Sequence, residues 1–210
     1  MLFREDESMK LIIITNEIVF EGNGALLNKL FAEGMETLHL RKPFATEAEV
    51  AYLLNQIDAE YHRQIVLHDH FGLLNTFNLQ GVHLNRRNTI RPQITNISVS
   101  RSCHSLECLE ASMESHDYIF LSPIFDSISK TGYNHAFTEE QLLEAKSKHL
   151  INEKVIALGG IDHKTIPFAV QYGFGGIAVL GSLWVNYLQD KDEKALLQRF
   201  RNLQAMTKKQ

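Results

Sequence analysis

Cysteine is scarce. Only Cys103 and Cys108 occur among 210 residues, too few and too close together for the disulfide framework that staples small secreted domains. Both are read as small packing residues in a reducing compartment. Basic charge is not in excess either. Lys and Arg number 21 against 25 Asp and Glu, a formal net charge of −4, so no positive field exists for a nucleic-acid backbone to follow. No apolar run approaches the ~18–20 residues that span a bilayer. The opening MLFREDESMK mixes acids and bases around no apolar core, unlike a signal peptide. A cytoplasmic protein with neither nucleic acid nor membrane as partner is expected; homo-oligomerisation stays open.

What is present is ordinary globular composition, 44% hydrophobic and 22% charged, enough for one good-sized core. Residues 1–210 are expected to form a single domain, with 1–10 a polar N-terminal extension. Short apolar runs alternate with amphipathic stretches. LIIIT (11–15), TLHLR (37–41), QIVLHD (64–69), GVHLN (81–85), NISVSRS (96–102), YIFLSPI (118–124), VIALGG (155–160) and GIAVLG (176–181) read as strands. Between them lie helical patterns such as GALLNKLFAEG, SLECLEASMES and FTEEQLLEAKSKHL. Another begins at Thr46, with Glu49 three residues on as a capping box.

Alternation of this kind argues for an all-parallel sheet. About eight repeats in this length favour an α/β fold of the (β/α)8 TIM-barrel type over an open flavodoxin-like sheet. Continuous apolar runs such as VIAL fit strands buried on both faces.

In such a barrel, chemistry sits at the C-terminal strand ends. Those ends offer Arg41 and Lys42, His68 and Asp69, His83, Ser102 and His104, Ser127 to Lys130, Gly159-Gly160 and Gly181-Ser182. Cations, hydroxyls and glycines predominate, which suits an anionic, oxygen-rich ligand. Glycines ending strands seven and eight suit phosphate, which needs unobstructed backbone N–H groups; αβ turns that require a positive φ explain them equally well. Asp69 suits a Mg²⁺ ligand or a helix N-cap ahead of FGLLNTF. His68 and His70 beside it raise an imidazole site for Zn²⁺ or Fe²⁺, drawing on His39, His83 or His104, although no HxxxH or Cys-rich spacing supports it.

HLRK, IVLHDHFGLL, GVHL, SRSCHSLEC, YIFLSPIFDSISK and VIALGGI, in this order, resemble the thiamine phosphate synthases and their relatives the thiazole tautomerases. The resemblance runs from LIIIT to GIAVLGS. It implies a single (β/α)8 barrel and a transferase that joins hydroxymethylpyrimidine pyrophosphate to thiazole phosphate, releasing pyrophosphate with Mg²⁺. Its alternatives are a tautomerase acting on thiazole carboxylate phosphate, or a non-catalytic binder of phosphorylated thiamine precursors.

Carried over by position, the resemblance gives Arg41 and Lys130 the pyrophosphate, with Ser102 a further contact. Ser127 and Ser129 stand at two threonines expected around the thiazole phosphate, and Gly160, Leu180 and Gly181 at backbone phosphate contacts. Asp69 stands at a magnesium ligand and Asn88 at the second magnesium aspartate. His39 takes the place of a glutamine and His68 that of an asparagine, both lining the substrate site. The family lysine falls on Pro43, with Lys42 one place early, so strand alternation sets whether Lys42 serves instead. Arg86 and Arg87 flank Asn88 as additional cations. Pro123 stands where some tautomerases carry a catalytic histidine, which favours the synthase.

Overall fold

The protein is described by a computed structural model over residues 8–126 and 136–208. Eight parallel strands close into a barrel in sequence order. They are β1 Lys10–Ile14, β2 Thr37–Leu40, β3 Ile65–Leu67, β4 Gly81–Leu84, β5 Ser98–Cys103, β6 Tyr118–Leu121, β7 Val155–Leu158 and β8 Gly176–Val179. Lys10 to Ile13 pair with Gly176 to Val179, which closes the sheet and removes the open-sheet alternative. The first strand therefore begins inside the stretch expected to be a polar extension; residues 1–7 lie outside the described residues.

Helices cover the outside: α1 Asn23–Ala32, α2 Glu47–Asn55, α3 Leu106–Ser112, α4 Glu139–Ser147, α5 Ile166–Gln171, α6 Gly181–Trp184, α7 Tyr187–Asp190 and α8 Glu193–Thr207. The capping box at Thr46 and Glu49 forms as its sequence predicts, and Thr138 with Gln141 builds a second one on α4. FGLLNTF folds only as a 3-10 turn over Phe71–Asn75. Its cap residue is His70, at φ 56, with no side-chain cap bond, so Asp69 is not an N-cap.

Strand alternation divides the barrel into two layers. Ile13, Leu38, Leu40, Ile65, Leu67, Ile119, Leu121, Val155, Ile177 and Val179 pack with the helices in the main core, where each buried side chain contributes about 1.5–3 kcal/mol. Ile12, Ile14, Tyr118, Phe120, Ile156 and Ala178 form a separate interior cluster. That interior is two-sided. Strands β6, β7, β8 and β1 supply its apolar half, while β2 to β5 supply His39, His68, His83, Ser100 and Ser102.

The cysteine expectation is corrected. Cys103 and Cys108 form a disulfide. Cys103 ends β5 and Ser105 caps α3 through a bond from Cys108 N. This tight turn leaves the two Cα atoms 5.6 Å apart, a span that a disulfide bridges. Cys103 nonetheless packs in the core with no exposure. Among the described residues, no helix is long and apolar enough to cross a membrane.

Candidate active site

A cavity of about 460 Å³ opens at the C-terminal ends of the strands, lined by Arg41, His68, Ser102, Gly160, Leu180 and Gly181, among others. Six of the residues proposed from sequence thus meet around one space although they come from five segments. The rest are placed otherwise.

Lys42 does not line the cavity. Leu40 packs outward, Arg41 turns inward and Lys42 turns outward again, as period-two alternation requires. The residue is 1% exposed, and its ammonium donates to Asn16 Oδ1 at 2.8 Å, Ile18 O at 2.7 Å and Asn23 Oδ1 at 2.9 Å. No carboxylate takes part in that set. Burial lowers its pKa to about 7. It is an internal clamp on the β1–α1 loop, and its assignment to substrate is corrected on that ground.

His39 also lies away from the cavity wall, fully buried one layer below Arg41. Its Nδ1 is 2.8 Å from His68 Nε2, and its Nε2 is 2.6 Å from the Tyr118 hydroxyl. A Tyr118 hydroxyl that donates to Nε2 leaves Nδ1–H to donate to His68. His83, on β4, bridges Ser100 Oγ at 2.9 Å and Ser102 Oγ at 2.8 Å. Burial pushes the His39 and His68 pKa values well below the ordinary imidazole value, and the His83 value down to about 3; neighbouring positive charge adds to each. All three rings are neutral near pH 7.

Asp69 and Asn88 come together, but not as paired oxygen ligands. Arg87 Nη2 donates to both Asp69 oxygens, and Asn88 Nδ2 donates to Asp69 Oδ1 at 2.8 Å and to His68 O at 2.9 Å. Turning the amide over would set its oxygen against a carboxylate and a carbonyl, two acceptors, so the nitrogen faces Asp69. A carboxylate that does line the cavity, Glu17, accepts from Arg41 Nη1 at 2.5 Å. With Arg87 and Asn88 on Asp69, the residues present do not fit a two-oxygen magnesium site.

Gly160 (φ 63) needs its lack of a side chain, because a Cβ there would lie 2.4 Å from Asp126 O. Ser182 Oγ, beside Gly181 in the wall, is buried without a hydrogen-bond partner among the described residues. Ser127, Ser129 and Lys130 lie outside the described residues.

Three contributors were missed in the sequence. Glu17 follows the first strand, whose end carried no motif. Asn85, whose amide holds His68 O at 2.9 Å, sits in the same HLNRRN string as Asn88. Tyr118 reads as an ordinary strand aromatic, yet alternation from Phe120 would have aimed it inward.

A family profile described as thiamine monophosphate synthase matches residues 11–183. A thiamine-phosphate synthase of Lysinibacillus sphaericus is 27% identical over 191 residues, covering 86% of this chain and 89% of its own. A crystal structure of a thiamine phosphate pyrophosphorylase from Bacteroides thetaiotaomicron superposes with a TM-score of 0.86 at 39% identity, covering 94% of this chain and 97% of that one. The corresponding protein from Pyrococcus furiosus, at 21% identity and a TM-score of 0.70 over 96% of this chain and 98% of its own, shares the fold.

Proposed function

The chain belongs to the thiamine monophosphate synthase family, and from that premise we propose that it joins a pyrimidine-methyl diphosphate to a thiazole phosphate. The reaction forms thiamine phosphate and releases pyrophosphate. The carbon–oxygen bond to the diphosphate breaks with its electron pair leaving on oxygen, and the thiazole nitrogen supplies the pair for the new carbon–nitrogen bond. The single observation that carries this reading is the cavity wall itself, with Arg41 and Arg87 on one side and Gly160, Leu180 and Gly181 on the other.

That wall suits two phosphorylated ligands held against each other. The arginines neutralise the charge that grows on the departing diphosphate, and Ser102 offers a hydroxyl to it. Backbone groups at Gly160, Leu180 and Gly181, with the Ser182 hydroxyl, take the thiazole phosphate. Aligning the two reactants supplies much of the acceleration, and no nucleophilic side chain is needed. The carboxylate of Asp69 serves by orienting Arg87, and no step is assigned to a magnesium ion there. Lys130 joins the diphosphate set, and Ser127 with Ser129 the thiazole phosphate, by resemblance alone.

The test supplies both substrates and follows pyrophosphate and thiamine phosphate together. Equimolar formation of the two supports the reading, and absence of product at saturating substrate rejects it. Aromatisation of thiazole carboxylate phosphate without any pyrimidine substrate would assign the tautomerase reaction instead.

A further inference from the structure

His39 on β2, His68 directly after β3 and His83 on β4 present ligand nitrogens that all lie within 4.8 Å of one another. Two of the three, His39 and His68, stand where the resemblance has glutamine and asparagine, so two separate departures meet in space at 2.8 Å. We propose that these three imidazoles form a site for a borderline divalent transition ion such as Zn²⁺ or Co²⁺, set beneath the cavity floor.

The donor chemistry selects the ion. Three neutral imidazoles suit Zn²⁺, Co²⁺ or Ni²⁺, whereas Mg²⁺ demands oxygen. Burial keeps every ring in the neutral form that a ligand must have. Hydrogen-bond partners for the far ring nitrogens of His39 and His83 are already in place. Tyr118 O accepts from His39 Nε2–H once Nδ1 turns to the ion, and Ser100 or Ser102 holds the far nitrogen of His83. Partners of this kind orient metal-bound imidazoles. His68 lines the cavity while His39 and His83 are fully buried. A fourth, open position therefore faces the cavity, for water or an oxygen or nitrogen donor of its ligand, as in three-histidine sites.

Binding replaces the proton shared by His39 and His68 with the ion. It also turns one ring. His68 and His83 stack at 4.4 Å with 20° between planes, so His83 rotates about its Cβ–Cγ bond and releases one serine to point its nitrogen at the common centre.

The experiment titrates chelator-treated, desalted protein with Co²⁺ and follows visible absorption, then adds Zn²⁺. The expected result is d–d absorption that saturates at one equivalent, is displaced by Zn²⁺ and ignores Mg²⁺. His39→Gln and His83→Ala lose that absorption, Tyr118→Phe weakens Co²⁺ binding about tenfold, and the exposed His163→Ala changes nothing. Circular dichroism of the metal-free variants shows that they fold; His68→Asn replaces any that does not. Absence of saturable absorption in the wild type overturns the proposal, as does a signal that survives in the His39→Gln/His83→Ala double variant. No substrate enters the titration, so its outcome is independent of the pyrophosphate assay.

Discussion

Arg87 Nη2 lies 3.1 and 3.2 Å from the two carboxylate oxygens of Asp69. A guanidinium thus occupies the face of the carboxylate that a hard cation would need. The Arg87 side chain is 47% exposed and that of Asp69 15%, so the arginine is free to swing into the cavity it lines while the aspartate stays in place.

On the proposed reading, Arg87→Ala removes one charge-assisted contact to the diphosphate. Such a bond contributes about 1.5–3 kcal/mol, which corresponds to a loss of about 10- to 150-fold in kcat/KM for the pyrimidine diphosphate. The substitution also bares Asp69, so magnesium should stimulate the variant more than the wild type. Pyrophosphate release measured across a magnesium titration checks both. Stronger stimulation of the wild type would return the neutralising role to the metal.

Lys42 gives a pH signature of its own. With a folded pKa near 7 and an unfolded value near 10.4, the unfolded chain binds the extra proton between those limits. Stability should therefore rise with pH across that window, because the charged form carries a desolvation penalty in the fold that deprotonation removes. Lys42→Met should flatten this slope. Its absolute stability is a poorer readout, since the loss strands the Asn16 and Asn23 oxygens. Urea unfolding of both proteins at pH 7 and 9 gives the comparison.

The barrel was legible because each strand and helix announced itself by period, and closure followed from counting. The site was legible where strand alternation alone sets direction, as for Arg41, His68 and Ser102. It failed at Lys42, where one residue of register reverses the face, and at Asn88, where the neighbouring Arg87 decided which amide atom meets Asp69. The histidine trio was scattered over 45 positions of sequence, from 39 to 83, with no spacing to signal it. Only the lateral pairing of β2, β3 and β4 makes them neighbours. The disulfide escaped because its pairing depends on the turn between β5 and α3 rather than on cysteine count.

His39 should be a stability residue as well as a candidate ligand. His39→Leu strands the buried Tyr118 hydroxyl and one nitrogen of His68, each at about 1–3 kcal/mol, for a total of about 2–6 kcal/mol. His39→Gln keeps an amide for at least one of them and should lose less than half as much. Equilibrium unfolding in urea, with m unchanged, tests the ordering; equal losses would mean that volume rather than hydrogen bonding sets the cost.

Gly160 and Gly22 separate a local strain from a functional one. Both have positive φ, 63 and 80, so alanine at either carries a backbone penalty of about 1–2 kcal/mol. At Gly22 nothing lies within 4 Å of the added Cβ, and stability should fall by that amount with turnover retained. At Gly160 the added Cβ meets Asp126 O at 2.4 Å and Phe125 Cβ at 2.7 Å. The chain after β6 must then shift at the wall proposed for the thiazole phosphate. Gly160→Ala should therefore raise KM for the thiazole phosphate at least tenfold beyond its effect on the pyrimidine diphosphate. Parallel steady-state measurements on both substrates decide it, and equal changes for the two would place the thiazole phosphate elsewhere in the cavity.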